Sequence, residues 1–176
     1  MTEPTIRDAA AADIPALHRL IESAYRGEAS RAGWTTEADL LEGQRTDPED
    51  LADILADPAQ AMLTAWRDGA LVGCVLIADR GQGTGYFGML SVSPTLQGAG
   101  LGRTLVKAAE QALRDRFGTR RVRISVFPQR DTLMAWYERL GYRLTGETLP
   151  FPYGNLRFGR PLRDDLHFVV MEHALA

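Results

Sequence analysis

The sequence predicts a mixed β-sheet with helices packed against it, an α/β or α+β layer design. Three observations support this fold class. Apolar runs of strand length alternate with amphipathic helices along most of the chain. An Asp68-Gly69 turn joins two of these runs in a predicted hairpin. A glycine-rich turn links the end of a strand to the longest predicted helix.

The first part of the chain is predicted to contain one short strand and three helices: Thr5–Asp8, then Asp13–Arg26, Thr35 to about Gln44, and Pro48–Ala56. The helix at Pro48 has the best-defined start. Asp47 supplies a capping carboxylate, and proline is favoured at the first helical position because its missing N–H has no partner there anyway.

The remainder alternates between strands and helices. The predicted strands are Ala61–Trp66, Leu71–Ala78, Tyr86–Val92, Arg121–Phe127, Tyr142–Thr148 and His167–Ala174; the predicted helices are Leu101–Phe117 and Asp131–Leu140; a long loop covers Leu149–Asp165. The chain shows no repeat and no obvious linker. We therefore expect residues 1–176 to form a single domain.

Composition excludes several classes of function. A net charge of −3 and a pI of about 5.6 argue against nucleic-acid binding, which usually requires a basic surface. No stretch approaches the ~20 apolar residues that cross a bilayer, and we expect a cytoplasmic protein. The single cysteine, Cys74, lies in an apolar run and is predicted to be buried. The three histidines show no metal-ligand spacing, so no metal is expected.

The segment from Ser91 to Arg103 predicts an anion site. A strand ends at Pro94, and the turn Gln97-Gly98-Ala99-Gly100-Leu101-Gly102-Arg103 enters a long helix. Unpaired N–H groups and the positive end of the helix dipole would face a ligand there, with glycines permitting close approach. A Walker loop is excluded because the only lysine, Lys107, lies well inside the helix. A dinucleotide fold is disfavoured because the turn follows a hairpin.

At this point the chain resembles the GCN5-related N-acetyltransferase (GNAT) superfamily. Two motifs carry the resemblance: Leu90–Pro94 running into Gln97–Arg103, and Ala135–Tyr142. It implies a mostly antiparallel, twisted sheet of about seven strands with helices on both faces, and acetyl-CoA as acyl donor. It also implies that Leu90, Ser91 and Val92 face the pantetheine arm and that the amides from Gly98 to Arg103 hold the pyrophosphate. Arg130 stands where the family often has asparagine; it reaches a cofactor phosphate or lies in solvent.

The implied reaction moves an acetyl group from a thioester to a primary amine, most simply that of a small molecule. The resemblance makes Tyr137 the acid that protonates the departing thiolate, although spacing alone favours a packed aromatic on the apolar face of its helix. The backbone N–H of Leu90 is the expected oxyanion donor. The strand Tyr86–Val92 contains no acidic residue that could act as the general base.

The segment Glu22–Arg45 is expected to cover the acceptor, with four candidate contact residues: Glu22, Tyr25, Trp34 and Glu37. The loop Leu149–Asp165 either folds over the acceptor or pairs with a second subunit in a homodimer. Two alternatives remain open at this point. One is acetylation of a protein N-terminus or lysine; the other is a non-catalytic acyl-CoA-binding module.

Overall fold

The computed structural model describes residues 2–26, 30–31, 33, 35–96, 100–157 and 159–175. The described residues form the α-helices α1 (Ile14–Tyr25), α2 (Pro48–Ala56), α3 (Leu101–Phe117) and α4 (Asp131–Arg139). The strands are β1 (Thr5–Asp8), β2 (Leu41–Glu42), β3 (Gln60–Arg67), β4 (Ala70–Asp79), β5 (Thr84–Val92), β6 (Arg121–Val126), β7 (Arg143–Pro150), β8 (Arg160–Pro161) and β9 (His167–Ala174).

Seven strands form the main sheet in the order β1-β3-β4-β5-β6-β9-β7, and β2 pairs with β8 in a separate two-stranded sheet. Every pairing in the main sheet is antiparallel except that of β5 with β6. The mixed, mostly antiparallel architecture predicted from the sequence and its resemblance is therefore confirmed.

Helices cover both faces of the sheet because each helix buries one apolar stripe. On one face, α3 and α4 pack over a core that includes Leu105, Phe87 and Val122. On the other face, α1 and α2 bury Leu17 and Leu51 against residues of β3 and β4. Helices thus enclose the central strands on both faces. We therefore expect a site at the ends of these strands, beside the C-terminal end of β5.

Several predicted bounds agree with the structure, and one predicted helix is wrong. The helices at Pro48 and Leu101 and the strand at His167 have the expected limits. The helix expected from Thr35 to about Gln44 does not form: its described residues make turns and the strand β2. Leu41 is drawn into β2 by pairing with Pro161, a partner too distant in sequence for local patterning to reveal.

The long loop after β7 is more ordered than expected. β7 itself continues to Pro150, and β8 lies within the segment predicted to be irregular. Arg157 forms an ion pair with Asp47 at 2.8 Å, and Gln44 donates a hydrogen bond to the Arg157 carbonyl at 2.6 Å. The loop therefore packs against the chain's own segment before α2.

Candidate active site between β5 and β6

The parallel pairing of β5 and β6 is short, and the two strands separate beyond it. Their register partners run only from Thr84 with Arg121 to Tyr86 with Arg123. A cavity of about 140 Å³ opens where they part. Its walls come from both strands, from α4 and from the segments flanking β2: Tyr25, Glu37, Arg45, Tyr86, Phe87, Gly88, Met89, Leu90, Ile124, Ser125, Val126, Phe127, Arg130, Leu133, Tyr137 and Phe168.

A β-bulge produces the separation. The register of β4 with β5 changes from Cys74 opposite Ser91 to Leu76 opposite Gly88, so that Met89 and Leu90 together face one residue of β4. Met89 adopts a φ of 50°, which is strained for a residue with a side chain. Such strain costs on the order of 1–3 kcal/mol and is concentrated at functional sites. The bulge bends β5 away from β6 at the wall of the cavity.

Tyr25 ties α1 to this bulge. Its hydroxyl donates a hydrogen bond of 2.5 Å to the carbonyl oxygen of Leu90, and both residues are buried. Burial raises the pKa of the Tyr25 phenol far above its ordinary value, so the hydroxyl keeps its proton and remains a donor. Tyr25, predicted as an acceptor contact, therefore lies in the cavity wall and also holds the carbonyl of Leu90.

Tyr137 lies in the last turn of α4. It is 6% exposed and packs against an aromatic cluster, with ring centroids 5.9 Å from Phe87, 5.0 Å from Trp136 and 5.9 Å from Tyr142. Its side chain lines the cavity, and among the described residues its hydroxyl has no hydrogen-bond partner. Burial raises the pKa of this phenol well above its usual range.

The other predicted acceptor contacts are divided between two places. Glu37 lines the cavity, where its carboxylate lies 3.1 Å from Arg26 and 3.5 Å from Arg130. Glu22 lies outside it and accepts hydrogen bonds from the backbone N–H groups of Arg45 (2.7 Å) and Thr46 (3.0 Å). Trp34 lies outside the described residues.

The predicted anion site is described only in part. Gln97, Gly98 and Ala99 lie outside the described residues. Gly100 caps the start of α3 with a φ of 85°, and a Cβ at this position would meet no described residue within 4 Å. At the end of β5, Ser91 and Val92 are buried; in the first turn of α3, Leu101 and Gly102 are buried and Arg103 is exposed. Arg130 lies in the wall of the cavity beside Glu37, with its side chain mostly buried rather than in solvent.

Arg45, the last residue of the segment expected to cover the acceptor, lies in the cavity wall but was not among the four predicted contacts. Its guanidinium carbon lies 5.4 Å from the centre of the Tyr25 ring. Burial acts to lower the pKa of Arg45 and the charge of Glu37 acts to raise it, and the balance leaves the pKa above its ordinary value. Its position depends on Glu22, which lies 23 residues earlier, so no local pattern marks it.

Within the described ranges, no group of three or more His, Cys, Asp or Glu is placed to hold a metal ion. None of the described helices has the length and apolar character that crossing a membrane requires.

Comparison with known proteins places this geometry in context. The model of the acetyltransferase (GNAT) family matches residues 16–142. No curated protein sequence matches the chain significantly.

Solved structures share the fold at low sequence identity. The ribosomal-protein-S18-alanine N-acetyltransferase from Escherichia coli is 16% identical with a TM-score of 0.71, over 98% of this chain and 94% of that one. The ribosomal-protein-alanine N-acetyltransferase from Brucella melitensis is 21% identical with a TM-score of 0.71, over 97% and 99%. A GNAT family acetyltransferase from Elizabethkingia anophelis with acetyl-CoA bound is 16% identical with a TM-score of 0.71, over 99% and 100%.

Proposed function

Because the chain belongs to the acetyltransferase (GNAT) family, we propose that it acts as a single domain to transfer an acetyl group from acetyl-CoA to the primary amine of a small molecule. The amine lone pair attacks the thioester carbonyl and forms a tetrahedral oxyanion. The C–S bond then breaks, the thiolate of coenzyme A takes up a proton, and the amine loses one. The observation that carries the proposal is the cavity between β5 and β6, which is lined by both Leu90 and Tyr137.

Acetyl-CoA suits the edge of the sheet at which the cavity opens. β5 leads through Pro94 to the glycine-rich turn at the start of α3, where unpaired N–H groups favour a pyrophosphate. We place the pantetheine arm along Leu90, Ser91 and Val92, on the side of β5 where β6 has no register partner. The structural relative from Elizabethkingia anophelis carries acetyl-CoA, which supports the same donor here. Arg130 lies beside Glu37 in the cavity wall, and this supports a role near the thioester rather than at the pyrophosphate.

Leu90 is the proposed source of the oxyanion donor. The bulge leaves Met89 and Leu90 without the one-to-one pairing that regular strands have with β4, and the hydrogen bond from Tyr25 fixes the carbonyl side of Leu90. A backbone N–H held by such a rigid frame stabilises developing negative charge without reorganising.

Tyr137 is the proposed acid for the departing thiolate, whose intrinsic pKa is about 8.5. The raised pKa of the buried phenol keeps the proton in place until the thiolate forms beside it. A hydroxyl with no partner among the described residues is available to a ligand in the cavity. The acceptor is proposed to be small because the cavity measures only about 140 Å³.

The Tyr137→Phe variant tests this assignment. We expect kcat to fall by roughly 10²–10⁴-fold, the usual contribution of a positioned acid, while the Kd for acetyl-CoA stays within about threefold. Initial rates of thiol release and calorimetric titration measure the two quantities. Because the phenol stays protonated, the wild-type kcat should show no decline attributable to Tyr137 between neutral pH and about pH 10.

Tyr142→Phe is the matched control. Tyr142 contacts the same aromatic cluster but donates its hydroxyl to Glu110 at 2.9 Å, away from the cavity. We expect this variant to lose thermal stability and to retain kcat within about threefold. Equal losses of kcat in the two variants would mean that Tyr137 acts through packing, and an unchanged kcat in Tyr137→Phe would remove its role as the acid.

A further inference from the structure

Arg45 in the cavity wall has no close carboxylate partner in the described part of the chain. Arg26 and Arg130 both pair with Glu37. Among the described residues, no carboxylate lies within 4.0 Å of Arg45, whose guanidinium instead rests over the ring of Tyr25. The cavity is thus lined by two arginines and one carboxylate, which leaves it with excess positive charge.

Arg45 stands where the cavity meets a wider cleft of about 440 Å³ on the α2 side of the sheet; Arg45, Tyr86 and Met89 line both. The carboxylates of this cleft lie beyond 4.0 Å from Arg45 in the described part of the chain. Asp50 accepts a hydrogen bond from the Thr46 hydroxyl at 2.7 Å. Asp57 accepts from its own turn, and Asp53 is exposed.

The face of the sheet decides which ligand Arg45 can meet. Met89 and Tyr86 belong to the apolar cluster under α1 and α2, whereas Leu90 and Phe87 belong to the cluster under α3 and α4. Arg45 lines the cleft with the first pair, on the face opposite to α3 and its anion site. We therefore expect Arg45 to meet the acceptor, which enters from its side, rather than a cofactor phosphate bound at the start of α3.

The backbone around Arg45 is held in place before any ligand arrives. Glu22 accepts hydrogen bonds from the N–H groups of Arg45 and Thr46, and Arg26 donates to the carbonyl of Gln44 at 2.7 Å. Two residues later, Asp47 is paired with Arg157. An arginine fixed in this way loses less freedom on binding and presents its planar donors to an oxyanion.

We propose that Arg45 binds a carboxylate of the acceptor, so that the acceptor is a free amino acid whose amine reaches Leu90. This rests on the proposed acetyl transfer. Tyr25 sets the spacing, because its hydroxyl contacts the Leu90 carbonyl while Arg45 lies over its ring. Arg45 and the Leu90 carbonyl thus contact the same side chain, so one small acceptor can reach both. A polyamine has no carboxylate, and the residue at a peptide N-terminus has its carboxyl group in an amide bond.

The test compares acceptors that differ only in charge. Amino acids with the amine on the α, β or γ carbon are assayed beside their carboxamides and beside spermidine, by thiol release from acetyl-CoA. We expect the wild type to prefer the best acid over its amide by roughly ten- to hundredfold in kcat/KM, the range for a hydrogen bond to a charged group. In Arg45→Gln we expect the ratio of kcat/KM for the acid to that for its amide to fall to about threefold or less. Arg45→Lys should retain part of the preference.

Arg80→Gln is the matched control. Arg80 also lies over a tyrosine ring, with its guanidinium carbon 4.7 Å from the centre of the Tyr86 ring, and it lines the wider cleft. Unlike Arg45, it is exposed and is not among the residues that line the cavity between β5 and β6. The Arg80→Gln variant should keep the wild-type preference for the acid over its amide. A direct binding readout avoids dependence on turnover: in the presence of coenzyme A, the preferred acid should raise the Tm of wild type and not that of Arg45→Gln.

Several results would overturn the inference. They are equal use of acid and amide by the wild type, a preference for spermidine or for blocked peptides, survival of the acid preference in Arg45→Gln, or its equal loss in Arg80→Gln. If acetyl-CoA binds and any other amine is acetylated, only the role of Arg45 fails. If acetyl-CoA does not bind the wild type, the proposed function fails as well.

Discussion

Replacing Tyr25 by phenylalanine removes the hydrogen bond that links α1 to the bulge in β5. The bond is 2.5 Å long and buried, with Tyr25 8% and Leu90 2% exposed. β5 and β6 have no register partners beyond Tyr86, so the Leu90 carbonyl has no ladder partner on that side. The ring of phenylalanine fills the same space, and the change is confined to the lost donor.

The expected cost follows from this geometry. A buried hydrogen bond contributes about 0.5–1.5 kcal/mol net, and a carbonyl left unpaired adds about 1–3 kcal/mol if it remains dry. The adjoining cavity admits water, which lowers the second contribution. We therefore expect a loss of about 1–2 kcal/mol in the free energy of unfolding. For a chain of this size, that corresponds to a Tm lower by roughly 2–8 °C.

Thermal and urea unfolding followed by circular dichroism measure this loss. Tyr86→Phe serves as the control, because the Tyr86 hydroxyl has no hydrogen bond with any described residue although the ring lines the same cavity. We expect the control to stay within about 0.5 kcal/mol of wild type. If Tyr25→Phe and Tyr86→Phe unfold at the same temperature as the wild type, the hydrogen bond does not hold the bulge as described.

Two further predictions concern stability and reactivity. Burial raises the pKa of the Cys74 thiol to about 12, so iodoacetamide at pH 8 should modify the folded protein at least ~100-fold more slowly than the protein in urea; rapid labelling of the native state would contradict this. Gly141→Ala should destabilise by more than ~1 kcal/mol, since a Cβ would lie 2.6 Å from His173 at a φ of 103°. Gly146→Ala, at a φ of 86° with open space, isolates the backbone strain, and equal urea midpoints for the two variants would argue against the clash.

The parts of the fold that the sequence predicts well are those with local causes. α2 begins at Pro48 because Asp47 caps it, accepting from the Asp50 N–H at 2.7 Å, and α3 ends where Gly118 takes a φ of 65°. β2 was missed because its cause is not local. Leu41 and Glu42 are extended only through pairing with β8, more than a hundred residues later.

The candidate site likewise has parts that the sequence predicts locally and parts that only the tertiary structure shows. The glycine-rich turn before α3 is a contiguous motif, and its chemistry can be inferred from the sequence. The bulge has no such marker, because the residue with the positive φ is Met89 where a glycine would have indicated it. Arg45 and Tyr25 meet only through the packing of α1 against the segment before α2, so their contact could not be inferred from spacing.

We propose that acetyl-CoA binds with its pyrophosphate at the start of α3. Gly100 offers a test of this binding mode, because a Cβ there meets no described residue within 4 Å and because Asp and Asn tolerate a positive φ better than most residues. An acidic residue at a helix N-terminus also favours the helix itself, so Gly100→Asp should remain folded. Gly100→Asn is its uncharged counterpart.

Calorimetric titration with acetyl-CoA compares the wild type with these two variants. One added charge at ~5 Å from a phosphate, at an effective dielectric constant of ~20, costs about 3 kcal/mol, or roughly a hundredfold in Kd. We expect micromolar binding by the wild type, binding within about tenfold of wild type by Gly100→Asn, and a roughly hundredfold loss of affinity in Gly100→Asp. Equal affinity in all three proteins, or no binding by the wild type, would contradict this binding mode.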